Sequence, residues 1–232
     1  MSVITYLERM FSVDITIDPK ITEILSDFKV GIIYYNNITV SDSPQMLKGR
    51  LQLFQEQLFF DLEDKVLWDY PGLLEWKMIW KALGADANRY RPSAEALFRR
   101  IKKQNYLKPV HSGVDMNNFL SLQYEIPLGL YDSDKIDGDV SITIGTSADQ
   151  YEGINNRVNT LENILVTKDQ QGAFGSPFVD SKRTAVTEET VNALHVFYLR
   201  PSMERDTAQE LLAAAANMFT GINGGQADFN VI

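Results

Sequence analysis

At Pro127 the hydrophobic period of this chain changes, and that change limits the fold more than any single motif. Upstream, apolar residues recur at helical spacing. After a β-rich run at residues 27–40, Leu47, Leu51, Phe54 and Leu58 mark a helix opened by the Ser41–Pro44 turn. A second helix is expected at 70–84, closed by Gly84, with Trp76 and Trp80 on one buried face. A third spans 89–104, with Ser93 as its expected N-cap, and a short fourth spans 115–124. Downstream the period becomes two. Val140, Ile142 and Ile144 alternate with Ser141, Thr143 and Gly145, and a hairpin should turn at 169–172. Residues 193–200 read as a strand with Leu194, Val196 and Tyr198 on one face. A helix within 202–225 and a short strand at 227–232 follow. Helices and strands mixed without regular β-α-β alternation imply an α+β fold with a largely antiparallel sheet and flanking helices.

A chain of 232 residues, 44% of them hydrophobic, can bury a substantial core, and we expect one domain over residues 1–232. There are no cysteines, so disulfides, thiol nucleophiles and zinc–thiolate sites are excluded. No apolar run reaches the ~20 residues of a membrane helix. The first 18 residues carry acids within their apolar part and no basic leader, so a cytoplasmic protein without a membrane partner is expected. The net charge is −9, a poor background for nucleic acid. It is uneven, however. Arg89, Arg91, Arg99, Arg100, Lys102, Lys103 and Lys108 stand against Glu95 alone, a local +6 that leaves −15 elsewhere. Such a patch can hold a phosphate backbone, although cations at a helix C-terminus are also favourable by themselves.

Several chemistries find no support in the residues. Gly-x-Gly-x-x-Gly, a Walker loop and Gly-x-Ser-x-Gly are all absent. Asp132, Asp134, Asp137 and Asp139 do not fit a calcium loop, whose closing glutamate would fall at Thr143, and they read as a solvated turn. His111 lies in an expected loop and His195 in a strand, and neither has an evident partner. In residues 179–190, Asp180 and Arg183 are spaced to pair. Thr187 can cap a helix starting with Glu188 and Glu189, and the fork of Arg183 suits a carbonyl or phosphate.

Two ordered sets then go together: Val114, Asp115, Asn118, Pro127, Gly129, Tyr131, Asp132 and Ile136, and Arg183, Thr184, Val186, Thr187 and Thr190. With "RPSAEALFRRI" from Arg91, they make the chain resemble the B3/B4 domain. This is the editing module of the phenylalanyl-tRNA synthetase beta subunit, also found free-standing. The resemblance is strongest from about Arg91 to Leu194, making residues 89–232 the recognisable part and 1–88 a preceding strand and helical part. It implies a B3/B4-like fold and an aminoacyl-tRNA deacylase, an ester hydrolase of mischarged tRNA that uses no cofactor and no metal. The physical need is a second site that destroys a near-isostere the first cannot reject. In that reading Asn118, Gly129, Tyr131, Arg183 and Thr184 meet the aminoacyl group. Arg89, Arg91, Arg99, Arg100, Lys102 and Lys103 meet tRNA. The synthetase carries a histidine near Gly129, and Asp180 is the nearest counterpart of its site acid. No general base is assigned. Two other readings fit the same residues: a non-catalytic module for an amino acid or small metabolite, and a hydrolase of a small non-tRNA substrate.

Overall fold

Residues 13–86 and 89–232 are described by a computed structural model. The leader assessment rested largely on residues 1–12, which lie outside the described residues. The strands are β1 (Ile15–Ile17), β2 (Val30–Asn36), β3 (Leu128–Asp132), β4 (Val140–Ile144), β5 (Gln150–Glu152), β6 (Val158–Thr160), β7 (Leu165–Asp169), β8 (Gly172–Gly175), β9 (Ala193–Tyr198) and β10 (Gln226–Val231). The α-helices are α1 (Pro19–Ile24), α2 (Gln45–Asp64), α3 (Pro71–Leu83), α4 (Ser93–Lys102), α5 (Ser112–Tyr124) and α6 (Arg205–Asn223).

The strands form one sheet in the order β1-β4-β7-β8, a second in the order β10-β2-β9-β3, and a β5-β6 hairpin. Among the described residues, every strand pairing is antiparallel except β1 with β4. The fold is therefore α+β on largely antiparallel sheet, as the change of period at Pro127 implies. Among the described residues, no helix is long and apolar enough to cross a membrane.

The second sheet is buried on both faces. On one, Tyr35 of β2 stacks on Phe219 of α6 at 4.1 Å, and the missing side chain of Gly31 admits Leu212. Leu130 faces the same side, toward α5. On the other face, the ring of Tyr131 packs edge-on against Phe174 of the first sheet at 4.9 Å, and the Thr167 and Tyr198 hydroxyls are 2.8 Å apart. Each sheet thus closes the other's core. This is why all six residues of β9 are buried and not only the three expected on one face. A central strand with helices on one side and a sheet on the other has no solvent face.

Other local expectations need correction. Pro44, not a serine, occupies the cap position of α2, and the Ser43 hydroxyl instead donates to Asp115. Pro92 likewise precedes α4, so Ser93 is its first helical residue, and its N–H donates to the Pro177 carbonyl at 2.7 Å. Thr187 accepts from the Glu189 N–H as a cap would, but a turn follows and not a helix.

Trp76 is fully buried, packs against Trp80, and donates from Nε1 to the Tyr198 carbonyl at 3.2 Å. Trp76→Ala should cost about 3–5 kcal/mol from the cavity and lost transfer energy. A urea denaturation series measures this, and an unchanged midpoint would contradict the packing described.

Candidate functional site

The two distant segments singled out by the sequence meet at the edge of β3. After β8 the chain crosses from the first sheet to the second, and Ala185 forms a bridge with Tyr131. The Asp132 N–H donates to the Thr184 carbonyl at 2.8 Å. Asp132 is itself buried, accepting from Thr190 Oγ1 and pairing with Lys135, so it braces this corner.

At the junction the Tyr131 hydroxyl donates to Asp180 Oδ1 at 2.8 Å. The phenol occupies a slot that only glycine leaves open. A Cβ at Gly129 would fall 1.9 Å from the Tyr131 hydroxyl oxygen, and one at Gly175 would fall 2.1 Å from it. Tyr198 continues the chain of hydroxyls, 3.5 Å from Tyr131 and 2.8 Å from Thr167. Nearby, Tyr151 bonds to Ser176, whose hydroxyl accepts the N–H groups of Phe178 and Val179 and so fixes the loop into Asp180. Burial pushes the Asp180 carboxyl up to about 7, against donors from Tyr131 and the backbone that favour its charged form. The residue as a whole is half-buried, while its carboxyl is withdrawn from bulk water. Burial raises the Tyr131 phenol well above its ordinary value, so it remains a donor.

The expected contacts distribute unevenly. Gly129, Tyr131 and Thr184 gather at this junction, Thr184 fully buried against Ser181. Arg183 does not pair with Asp180. Its fork binds both oxygens of Asp169, at 2.9 Å each, and its guanidinium lies over Phe174. The β7-β8 turn brings Asp169 there, a contact invisible in linear spacing. Asn118 lies on α5, which packs on the opposite face of the second sheet from Tyr131. Its neighbour Asn117 reaches His195 Nε2 at 3.0 Å on that side. His195 is buried among Tyr35, Phe197 and Phe219, and burial holds its imidazole down at about 3, uncharged. His111 caps α5 through the Val114 N–H. Among the described residues, no group of three or more His, Cys, Asp or Glu is placed to hold a metal ion.

The basic segment forms a hollow of about 360 Å³ lined by Arg89, Arg91, Arg99, Arg100, Lys103 and Phe178. Lys102 turns away and donates to the Lys65 carbonyl. Glu95, buried on α4, binds Arg99 at 2.6 Å and lies 4.0 Å from Arg91. The sequence pointed to these cations but not to Phe178. Its only advance signal was proximity to Asp180.

The pH dependence of stability tests the environment of Asp180. Its folded value of about 7 lies above the ordinary 3.8, so its contribution is full below about pH 4 and is lost as pH rises toward 7. His195 has the opposite sign: its folded value of about 3 lies below 6.5, and its contribution is lost as pH falls from 6.5 toward 3. The two oppose each other between about pH 4 and 6.5. The urea midpoint of Asp180→Asn should therefore rise with pH across that window while the wild type stays flatter. Parallel curves would refute a desolvated Asp180.

Comparison with known proteins gives a consistent picture. The sequence profile of the B3/4 domain matches residues 75–220. The uncharacterized protein YhzB of Bacillus subtilis (strain 168) is 34% identical over 212 residues, covering 91% of this chain and 96% of the relative. The phenylalanine–tRNA ligase beta subunit of Mycoplasmoides gallisepticum is 31% identical over 90 residues, 38% of this chain. That of Fusobacterium nucleatum is 25% identical over 126 residues, 53% of this chain. The matched parts amount to 11% and 16% of those two ligase subunits. A solved N-terminal fragment of the phenylalanyl-tRNA synthetase beta subunit from Pyrococcus horikoshii aligns over 94% of this chain and 52% of that chain. Identity is 13% and the TM-score 0.44, too low to carry an argument.

Proposed function

Because this chain belongs to the B3/4 domain family, we propose that it acts on an aminoacyl ester carried by tRNA and hydrolyses the bond between amino acid and RNA. The observation that carries this reading is Asp180: a desolvated carboxyl with a value near 7, on a residue that is half-buried as a whole, held by Tyr131 where the two segments meet. A general base works best when its pKa lies near the working pH, and proton transfer from a placed side chain contributes about 10²–10⁴-fold.

In the proposed step Asp180, as carboxylate, takes a proton from water as the water oxygen attacks the ester carbonyl. The tetrahedral intermediate collapses with loss of the ribose oxygen, which receives that proton back from Asp180. The products are a free amino acid and an RNA hydroxyl. Tyr131, kept protonated by burial, holds Asp180 in place. Thr184 and Gly129 shape the junction, and Arg183, anchored to Asp169, positions the 180–185 segment. Asn118, across the sheet, has no part in this step.

Gly129, near which the resemblance implies a histidine in the synthetase, favours one alternative: a module that binds an aminoacyl group without turnover. A panel of correctly charged and mischarged tRNAs separates the two. Release of amino acid from one class should rise with pH and level off above about 7, after subtraction of spontaneous hydrolysis. Asp180→Asn should lower the rate about 100-fold. No release from any tRNA would overturn the hydrolase reading, and binding without release would establish the alternative.

A further inference from the structure

We infer that the basic hollow beside α4 seats an unpaired end of RNA, with its phosphates against the α4 cations and a base on the ring of Phe178. The inference rests on the function proposed above only for its choice of RNA as the polyanion.

Three features separate this hollow from an ordinary solvated helix face. First, it is a concavity. At about 360 Å³ it lies at the lower end of the range that takes small ligands, so it suits single nucleotides and not a duplex. Second, its cations are only partly consumed by internal pairing. Glu95 engages Arg99 and approaches Arg91, and among the described residues Arg100 and Lys103 have no carboxylate partner. The rest of the molecule carries a net negative charge, so a polyanion is repelled from most of the surface and drawn to this place. Third, the lining includes an aromatic ring. Phe178 is half-buried, and Tyr90 pins it edge-on at 5.2 Å; the Tyr90 hydroxyl is in turn tied to Thr160. A positive groove joined to a fixed aromatic ring is how single strands are held without reading their sequence.

The hollow is also attached to the candidate site. The Ser93 N–H at the start of α4 donates to the Pro177 carbonyl at 2.7 Å, so the helix bearing the cations is fastened to the loop bearing Phe178. Asp180 is two residues further along that loop. An RNA end stacked on Phe178 would approach Asp180 along a backbone whose course is set by Ser176.

The test reads binding without turnover, so its outcome is independent of whether any ester is hydrolysed. The probe is a labelled single-stranded hexaribonucleotide with a free 3′-hydroxyl, followed by fluorescence anisotropy. The same sequence in a duplex and inorganic pyrophosphate serve as competitors. Binding should weaken with salt, and Arg100→Ala with Lys103→Ala should reduce the slope of log K against log salt by about 1.4, at about 0.7 per phosphate contact. Phe178→Leu should weaken binding about tenfold with the salt slope unchanged, and Phe178→Trp should retain it. The duplex should compete poorly, and Phe178→Leu should leave pyrophosphate binding unchanged. Absence of hexanucleotide binding at low salt would overturn the inference. So would binding indifferent to the Arg100/Lys103 pair, which is exposed and whose replacement leaves the core intact. Equal loss of pyrophosphate and hexanucleotide binding in Phe178→Leu would reduce the hollow to an anion site and also overturn it.

Discussion

A hydrogen bond from the Tyr131 hydroxyl to Asp180 at 2.8 Å ties the second sheet of this protein to the segment that leaves the first, beside the Thr167–Tyr198 hydroxyl contact that also joins the two sheets. Tyr131 belongs to the second sheet, and Asp180 follows the last strand of the first. Backbone contacts beside it, Tyr131 with Ala185 and Asp132 with Thr184, hold the crossing segment in register. A carboxyl withdrawn from water is unfavourable unless donors meet it, and losing a charged partner's bond costs about 1.5–3 kcal/mol. Tyr131 supplies such a donor. The same burial that makes the bond structurally necessary lifts the carboxyl to about 7. The need for a donor and the raised value at this point share one cause.

The long elements could be read from the sequence because their periodicity is strong. Trp76 and Trp80 four apart, the alternation of Val140 and Ile142, and the turn before Gly172 all carry their own signal. The three-residue strands β1, β5 and β6 and the six-residue α1 are too short to show a period, so they passed unseen. The ordered motifs suggested that residues 117–132 and 180–187 share one site; Tyr131 and Asp132 do meet residues 184–185, whereas Asn117 reaches His195 on the other face. The partners within that junction were not legible in the sequence. Arg183 found Asp169 and not Asp180, because a hairpin turn delivered a carboxylate from fourteen positions away. Asn118 stayed with its helix across the sheet, a matter of which face α5 covers. That is decided by tertiary packing and not by local pattern.

Charge is the second organising quantity. The acidic body and the basic hollow look contradictory when averaged into a single number. In three dimensions they are separate: the positive charge of residues 89–108 gathers largely around one hollow while the rest of the chain is net negative. Helix α4 reconciles the two demands. Its buried face, including Phe98 and Ile101, joins the core, its C-terminal cations suit the helix dipole, and its N-terminus is fastened to the loop carrying Phe178.

Positions 129, 131 and 175 share a single volume. The Tyr131 hydroxyl lies where a side chain on either glycine would begin, so atoms gained at one position must vanish from another. Tyr131→Phe would not make room, because the ring carbon that carried the oxygen would still lie 2.4 Å from a new Cβ at either place. The two bare backbone positions and the ring between them are thus counterparts, and none of the three can be changed in isolation without displacing another.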